Sequence, residues 1–216
     1  MESQQQINQD LGHIVPAEPQ ALPPAGIPSV TGGMEIGIGN ELTVKFELEH
    51  VYDKMKAVRA FVFDVDGVLT NNDLLVTEVG EFLRTMNVRD GQALIWAREA
   101  GYPVGIITGG TSEGVKKRFT QKLGITEYYS GVKDKAVAFQ SFMQRTGIQF
   151  TEICYMGDDL PDISPMRNCA LACCPSDAVP EVMAACDYIS PIKGGAGCVR
   201  DVIEKVMKLQ GKWPKY

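Results

Sequence analysis

Uninterrupted apolar runs recur from Ala60 onward, in AFVF, PVGII, EICYM, ALACC and the shorter DYIS, and they alternate with segments of helical period. A run of four or five apolar residues without polar alternation reads as a strand covered on both faces. Strands of this kind separated by helices predict an α/β fold, a parallel sheet in three layers with helices on either side. The intervening helices read as DGQALIWAREAG with Asp90 as N-cap, SEGVKKRFTQKLG, DKAVAFQSFMQRTG, a short helix after Pro161, one around PEVMAA, and VRDVIEKVMKLQG. Ahead of the first strand, Leu48, Val51, Met55 and Val58 fit one face of a helix. Open parallel sheets bind ligands at the carboxyl ends of their strands, so the residues that follow each strand are where chemistry is to be sought.

Four strand ends carry reactive residue types. Asp64 and Asp66 follow FVF, Thr108 follows VGII, Lys135 comes shortly after YYS, and Asp158 with Asp159 follows ICYMG. Each alone has an ordinary explanation, since Asp after a strand is often a turn former and a lone Lys is often a solvated helix charge. The rest of the chain narrows the chemistry. His13 and His50 are its two histidines and both precede these segments, so serine or cysteine nucleophiles activated by histidine are disfavoured, and carboxylate, lysine and metal chemistry remain. A net charge of −6 and a pI near 5.0 exclude the concentrated basic surface that nucleic acid requires. No stretch approaches the ~18 apolar residues of a membrane span, and the first basic residue is Lys45, so no basic secretory start is present; the expected location is cytoplasmic. Six cysteines without a C-x-x-C pair read as reduced, buried thiols. Residues 1–44, rich in Gln, Pro and Gly, read as a disordered leader to one domain over 45–213.

The motifs resemble those of the haloacid dehalogenase (HAD) superfamily from about Val58 to Trp213. FDVDGVLT resembles its first motif, IITG its second, Lys135 in KDKAVAF its third and GDDLPD its fourth. The resemblance implies a phosphatase that forms an aspartyl phosphate on Asp64. A carboxylate attacking a phosphate dianion meets charge repulsion, so a Mg²⁺ ion bridging the two is expected, held by the Asp64 and Asp158 carboxylates and, by resemblance, the Asp66 carbonyl. Asp66 is then the general acid and base. Thr108, the Gly109 amide and Lys135 bind the transferring phosphoryl oxygens, while Asp159 and Asp162 orient Lys135 and metal-bound water. A calcium loop is excluded, because DVDGVL has Gly at its fourth position and Val at its fifth.

Only 19 residues separate Thr70 from Asp90 and 26 separate Thr108 from Lys135, so neither interval holds a capping domain. The segment LLVTEVGEFLRTMNV, with Gly80 near its middle, reads as a β-hairpin able to pair within or between copies. Together with DVDGVLT, NVRDG, LGI, DAVPEV, GGAGCVRDV and QGK, this resembles the capless branch of 3-deoxy-D-manno-octulosonate 8-phosphate (KDO 8-phosphate) phosphatases. That branch implies a phosphorylated sugar-acid substrate, a step supplying lipopolysaccharide, and a homotetramer whose hairpins form a central barrel. Arg89 becomes a candidate for the sugar acid's carboxylate or hydroxyls, with a surface ion pair as its alternative. Where many relatives carry arginine after IITG this chain has Gly110, and Arg118 is the candidate replacement; the chain also ends at GKWPKY, short of the tail of many relatives. Two alternatives stand: a nine-carbon 2-keto sugar acid 9-phosphate as substrate, and a non-catalytic tetramerisation module. The second is disfavoured because a scaffold has no need of Asp66 or Lys135.

Overall fold

The computed structural model describes residues 51–215, which open in a helix, α1 (51–57). The expected leader and Leu48 lie outside the described residues. Six strands form one parallel sheet: β1 (Ala60–Phe63), β4 (Val104–Ile107), β5 (Glu127–Tyr129), β6 (Ile153–Met156), β7 (Leu171–Cys174) and β8 (Tyr188–Ile189), in the order β5-β4-β1-β6-β7-β8. In register, Phe61 pairs with Val104 on one side and Cys154 on the other. β1 is therefore central, and the order reverses at its flank with β6, the position where open sheets form their ligand crevice.

Alternation along the strands divides the core into two layers. Phe61, Phe63, Ile106, Cys154, Met156, Leu171 and Cys173 face helices α2 (Val88–Glu99) and α7 (Cys198–Leu209). Ala60, Val62, Ile107, Tyr155, Ala172 and Cys174 face α4 (Lys135–Thr146), α5 (Ile163–Arg167) and α6 (Pro180–Met183). The three-layer expectation is met. In α7, Val199, Val202, Ile203, Val206 and Met207 are fully buried at the spacing of one helix face. Emptying a site such as Phe61 would cost about 3–5 kcal/mol. All six cysteines are free thiols.

Two local expectations are corrected, and a third is met in shorter form. The N-cap of α2 is Asn87, whose Oδ1 accepts from the Arg89 amide at 2.8 Å; Asp90 is drawn inward, where its Oδ1 accepts from the Arg200 amide at 2.7 Å and joins α2 to the start of α7. The segment SEGVKKRFTQKLG forms α3 (Glu113–Lys116) and then a π-helix over Lys117–Lys122 rather than one α-helix. The hairpin is present, but its strands β2 (Leu75–Val76) and β3 (Phe82–Leu83) have two residues each and form a sheet of their own.

Candidate active site

The carboxyl ends of β1, β4 and β6 and the start of α4 converge on a cleft of about 250 Å³ lined by Asp64, Asp66, Thr108, Gly109, Lys135 and Asp158. Asp64 leaves β1 with its amide still in the sheet, donating to Met156 O at 3.0 Å, so its carboxylate is fixed by the sheet itself. Thr108 is held the same way through Tyr129 O at 2.9 Å, and its Oγ1 accepts from the Gly110 amide at 3.0 Å. Lys135 is the first residue of α4, set there by the Asp134 cap, which takes the Ala136 amide at 2.9 Å. Its ammonium lies 3.0 Å from Asp64 Oδ2 and donates to Asp162 Oδ1 at 2.8 Å.

Asp162 is fully buried and committed. Its Oδ1 also accepts from the Tyr155 hydroxyl at 2.7 Å, and its Oδ2 faces the amides of Asp158 and Asp159, both at 3.4 Å. It orients Lys135, and since both of its oxygens already face donors, Asp64 and Asp158 are the freer carboxylates for a metal. Asp159 caps the short turn Leu160–Asp162.

Asp64, Asp158 and Asp162 bring carboxylate oxygens within 4.8 Å of one another, against the single ammonium of Lys135. Burial first, and then the charge of Asp162, push Asp64 up to about 8 despite Lys135; the same two causes push Asp158 to about 7. Lys135 is also raised, for a different reason: burial would lower it, but Asp64 and Asp162 together hold it above its ordinary value. Asp158 Oδ1 is buried without a hydrogen-bond partner. A surplus of buried negative charge with an unpartnered oxygen is the signature of a divalent-cation site, and hard carboxylate oxygens suit Mg²⁺. Asp64 and Asp158 fit such an ion.

Several participants lie outside the residues expected from the sequence. Arg84, just beyond β3, grips Asp66 with both ends of its guanidinium, Nε to Oδ1 at 2.6 Å and an Nη to Oδ2 at 3.2 Å. Asn72 has a left-handed φ of 68° and donates to Asp158 Oδ2 at 3.3 Å; Asn tolerates that backbone. Lys133 stands at the cleft wall. The GGAG run braces the first motif, with the Gly195 amide on Val68 O at 2.9 Å. Asn72 follows the first motif directly and Tyr155 shares a strand face with Ile153, so both have some signal in the chain; Arg84 has none. Two expected arginines are elsewhere. Arg118 points at Gly91 of α2, and Arg89 lines a separate cleft with Arg200, Lys205 and Lys208.

Comparison with known proteins gives the family. A family model described as haloacid dehalogenase-like hydrolase matches residues 73–169. The 3-deoxy-D-manno-octulosonate 8-phosphate phosphatase of Salmonella typhi is 36% identical over 163 residues, covering 76% of this chain and 86% of that protein. The structure of the corresponding phosphatase from Yersinia pestis superposes with a TM-score of 0.74 at 33% identity, covering 76% of this chain and 88% of that one. The phosphatase from Moraxella catarrhalis, solved with magnesium, phosphate and KDO, superposes with a TM-score of 0.73 at 32% identity over 76% of this chain and 94% of its own. Similarity of this extent means that the chain belongs to the 3-deoxy-D-manno-octulosonate 8-phosphate phosphatase family of haloacid dehalogenase-like hydrolases.

Proposed function

We propose that the protein hydrolyses KDO 8-phosphate to KDO and inorganic phosphate, with Asp64 as the nucleophile. The observation that carries the reading is Asp64 at the carboxyl end of β1, buried yet lining the cleft, with Lys135 3.0 Å from one of its oxygens. Asp64 attacks phosphorus, the bond to the sugar oxygen breaks, and Asp66 gives that oxygen its proton. Asp66 then takes a proton from water, which attacks the aspartyl phosphate and restores Asp64. Lys135, the Thr108 hydroxyl and the Gly109 amide are placed to stabilise the charge that accumulates on the phosphoryl oxygens. A bound Mg²⁺, for which the Asp64 and Asp158 carboxylates and the Asp66 carbonyl are the donors, supplies the positive charge that lets two anions meet.

The catalytic unit is taken to span 45–213 and to act in the cytoplasm; six free thiols fit a reducing compartment. Among the described residues no helix is long and apolar enough to cross a membrane. A tetramer is supported by the hairpin, where Leu75, Val76, Val79, Phe82 and Leu83 are all exposed. An apolar ribbon of that kind calls for cover. In such an assembly Arg89 would serve a neighbouring copy.

The test compares kcat/KM for KDO 8-phosphate with that for a nine-carbon 2-keto sugar acid 9-phosphate, in Mg²⁺. A preference for the eight-carbon ester is expected, and a clear preference for the nine-carbon one would sink the assignment. Asp64→Asn should abolish turnover with the fold intact.

A further inference from the structure

The Arg84–Asp66 pair poses a problem for turnover. A general acid must present a proton on one carboxyl oxygen to the leaving group, yet both oxygens of Asp66 are taken by one guanidinium. A bidentate guanidinium takes one lone pair of each oxygen and crowds the approach of a leaving group to Asp66. Proton transfer through Asp66 is therefore easier with the clamp open.

The surroundings show how it opens. Arg84 is nearly buried, and its head occupies a recess beside Thr108 and Gly110. Position 110 leaves this space free: a Cβ there would stand 3.4 Å from Thr108 Oγ1, 3.5 Å from Asp66 Oδ2 and 3.6 Å from an Nη of Arg84. The guanidinium thus stands beside Gly110 and Asp66, two residues that also line the cleft. Arg84 is carried by a two-stranded ribbon outside the main sheet, so its displacement leaves the core packing untouched. Releasing Asp66 into a neutral environment would forfeit two charge-assisted hydrogen bonds. Releasing it in exchange for a second carboxylate would not.

Resting on the substrate reading above, we infer that Arg84 is a specificity-determining clamp, held by Asp66 in the empty site and handed to the carboxylate of the sugar acid when substrate binds. Asp66 is freed for proton transfer only by a substrate that carries an acid group of its own. Neutral sugar phosphates reach Asp64 but leave Asp66 gripped, so they are discriminated against in kcat more than in KM. The Lys135 contacts to the phosphoryl group are common to both kinds of substrate and do not discriminate.

The experiment uses the full-length Mg²⁺-loaded enzyme with KDO 8-phosphate and its C1 carboxamide, which differ only in the charge of that group. In the wild type the carboxamide should be slower in kcat by about 10- to 100-fold, the worth of one charged hydrogen bond. Arg84→Gln should raise KM for KDO 8-phosphate by about 10-fold or more, because the carboxylate loses its charged partner, and should raise kcat on the carboxamide several-fold, because Asp66 is no longer held. That gain, read in the same preparation, also shows that the variant is folded. Arg84→Lys, a point charge without the fork, should restore part of the discrimination. Equal wild-type rates on the two esters, or an Arg84→Gln variant that falls equally on both, would overturn the clamp while leaving the substrate assignment standing. A wild type that hydrolyses p-nitrophenyl phosphate but is inert towards KDO 8-phosphate would overturn the substrate reading, and the clamp with it.

Discussion

Gly67 lays its backbone directly against the Asp158 carboxylate: at a φ of 90°, a Cβ on Gly67 would overlap Oδ2 and stand only 2.7 Å from Oδ1. Two separate penalties would follow from a methyl group there. The left-handed backbone costs a non-glycine residue about 1–2 kcal/mol, and Asp158 would have to swing out of the position it shares with Asp64. Gly67→Ala is expected to lower kcat/KM by about 100-fold or more, in the range seen when a charge-stabilising group is displaced, and to raise the Mg²⁺ concentration needed for half-maximal rate. A Mg²⁺ titration of activity alongside a melting curve checks this. A variant that melts lower but keeps the wild-type metal requirement would contradict the role given to Asp158.

Lys135 depends on Asp162, and Asp162 on Tyr155. Removing the ammonium with Lys135→Ala should cost about 10²–10³ in kcat, as for loss of a donor to developing phosphoryl charge. Lys135→Arg should not rescue it, since the site is buried and shaped for a compact ammonium rather than a planar fork. Asp162→Asn retains the size of the side chain but turns an amide N–H₂ towards existing donors, either Lys135 and Tyr155 or the two backbone amides. Its kcat should drop by roughly 10- to 100-fold, corresponding to about 1.5–3 kcal/mol for a charged hydrogen bond. Tyr155→Phe removes one neutral donor and should cost less than Asp162→Asn. Steady-state kinetics on the three sites gives the ordering, and a Tyr155→Phe loss as large as that of Lys135→Ala would break it.

The strand ends are legible in the chain because burial on both faces leaves an unmistakable mark. AFVF, VGII, ICYM and LACC are buried throughout, and a parallel sheet then forces Asp64, Thr108 and Asp158 to one edge. Lys135 is legible because Asp134 caps the helix that begins with it. What the chain conceals depends on contacts between distant segments. Arg84 meets Asp66 only because the hairpin folds back over the cleft, and no local period records that. Asp90 has the residue type and place of an N-cap, but the packing of α7 on α2 pulls it inward and leaves Asn87 to do the capping. Nothing in KRFTQK announces a π-helix. Arg118 has the charge to replace a cation after IITG, yet its guanidinium lies against Gly91 of α2.

The hairpin offers an assembly test independent of chemistry. Val79 is 83% exposed and Phe82 57% exposed, on a two-stranded ribbon that is marginal alone in water. If it is covered by other copies of the chain, Val79→Ser combined with Phe82→Ser should shift the native mass from a tetramer to smaller species, while the melting of the sheet domain changes little. Light scattering on both proteins decides it. A wild type that is monomeric at micromolar concentration would remove the basis for placing Arg89 at a neighbour's site.

Asp90 makes a prediction about pH. It is 1% exposed, its Oδ2 has no hydrogen-bond partner, and burial pushes it from 3.8 to about 6, although the amides of Arg200 and Gly197 pull the other way. The folded protein therefore holds this proton more tightly than the unfolded chain does. Below about pH 4 both states are protonated and the group contributes nothing to the pH dependence; above that the unfolded chain loses the proton first, and stability falls until pH has passed the folded value. The total loss is at most about 3 kcal/mol, since each tenfold difference in proton affinity between the two states is worth about 1.36 kcal/mol. Asp90→Asn keeps an oxygen for the Arg200 amide and cannot ionise, so its stability should stay level between pH 5 and 7.5 where the wild type declines, and the variant should gain relative to the wild type at pH 8. Urea unfolding in saturating Mg²⁺, which keeps Asp64 and Asp158 ionised at both ends of the range, isolates the effect. Parallel pH profiles for the two proteins would show that Asp90 is ionised in the fold throughout and that the Arg200 amide, rather than burial, governs it.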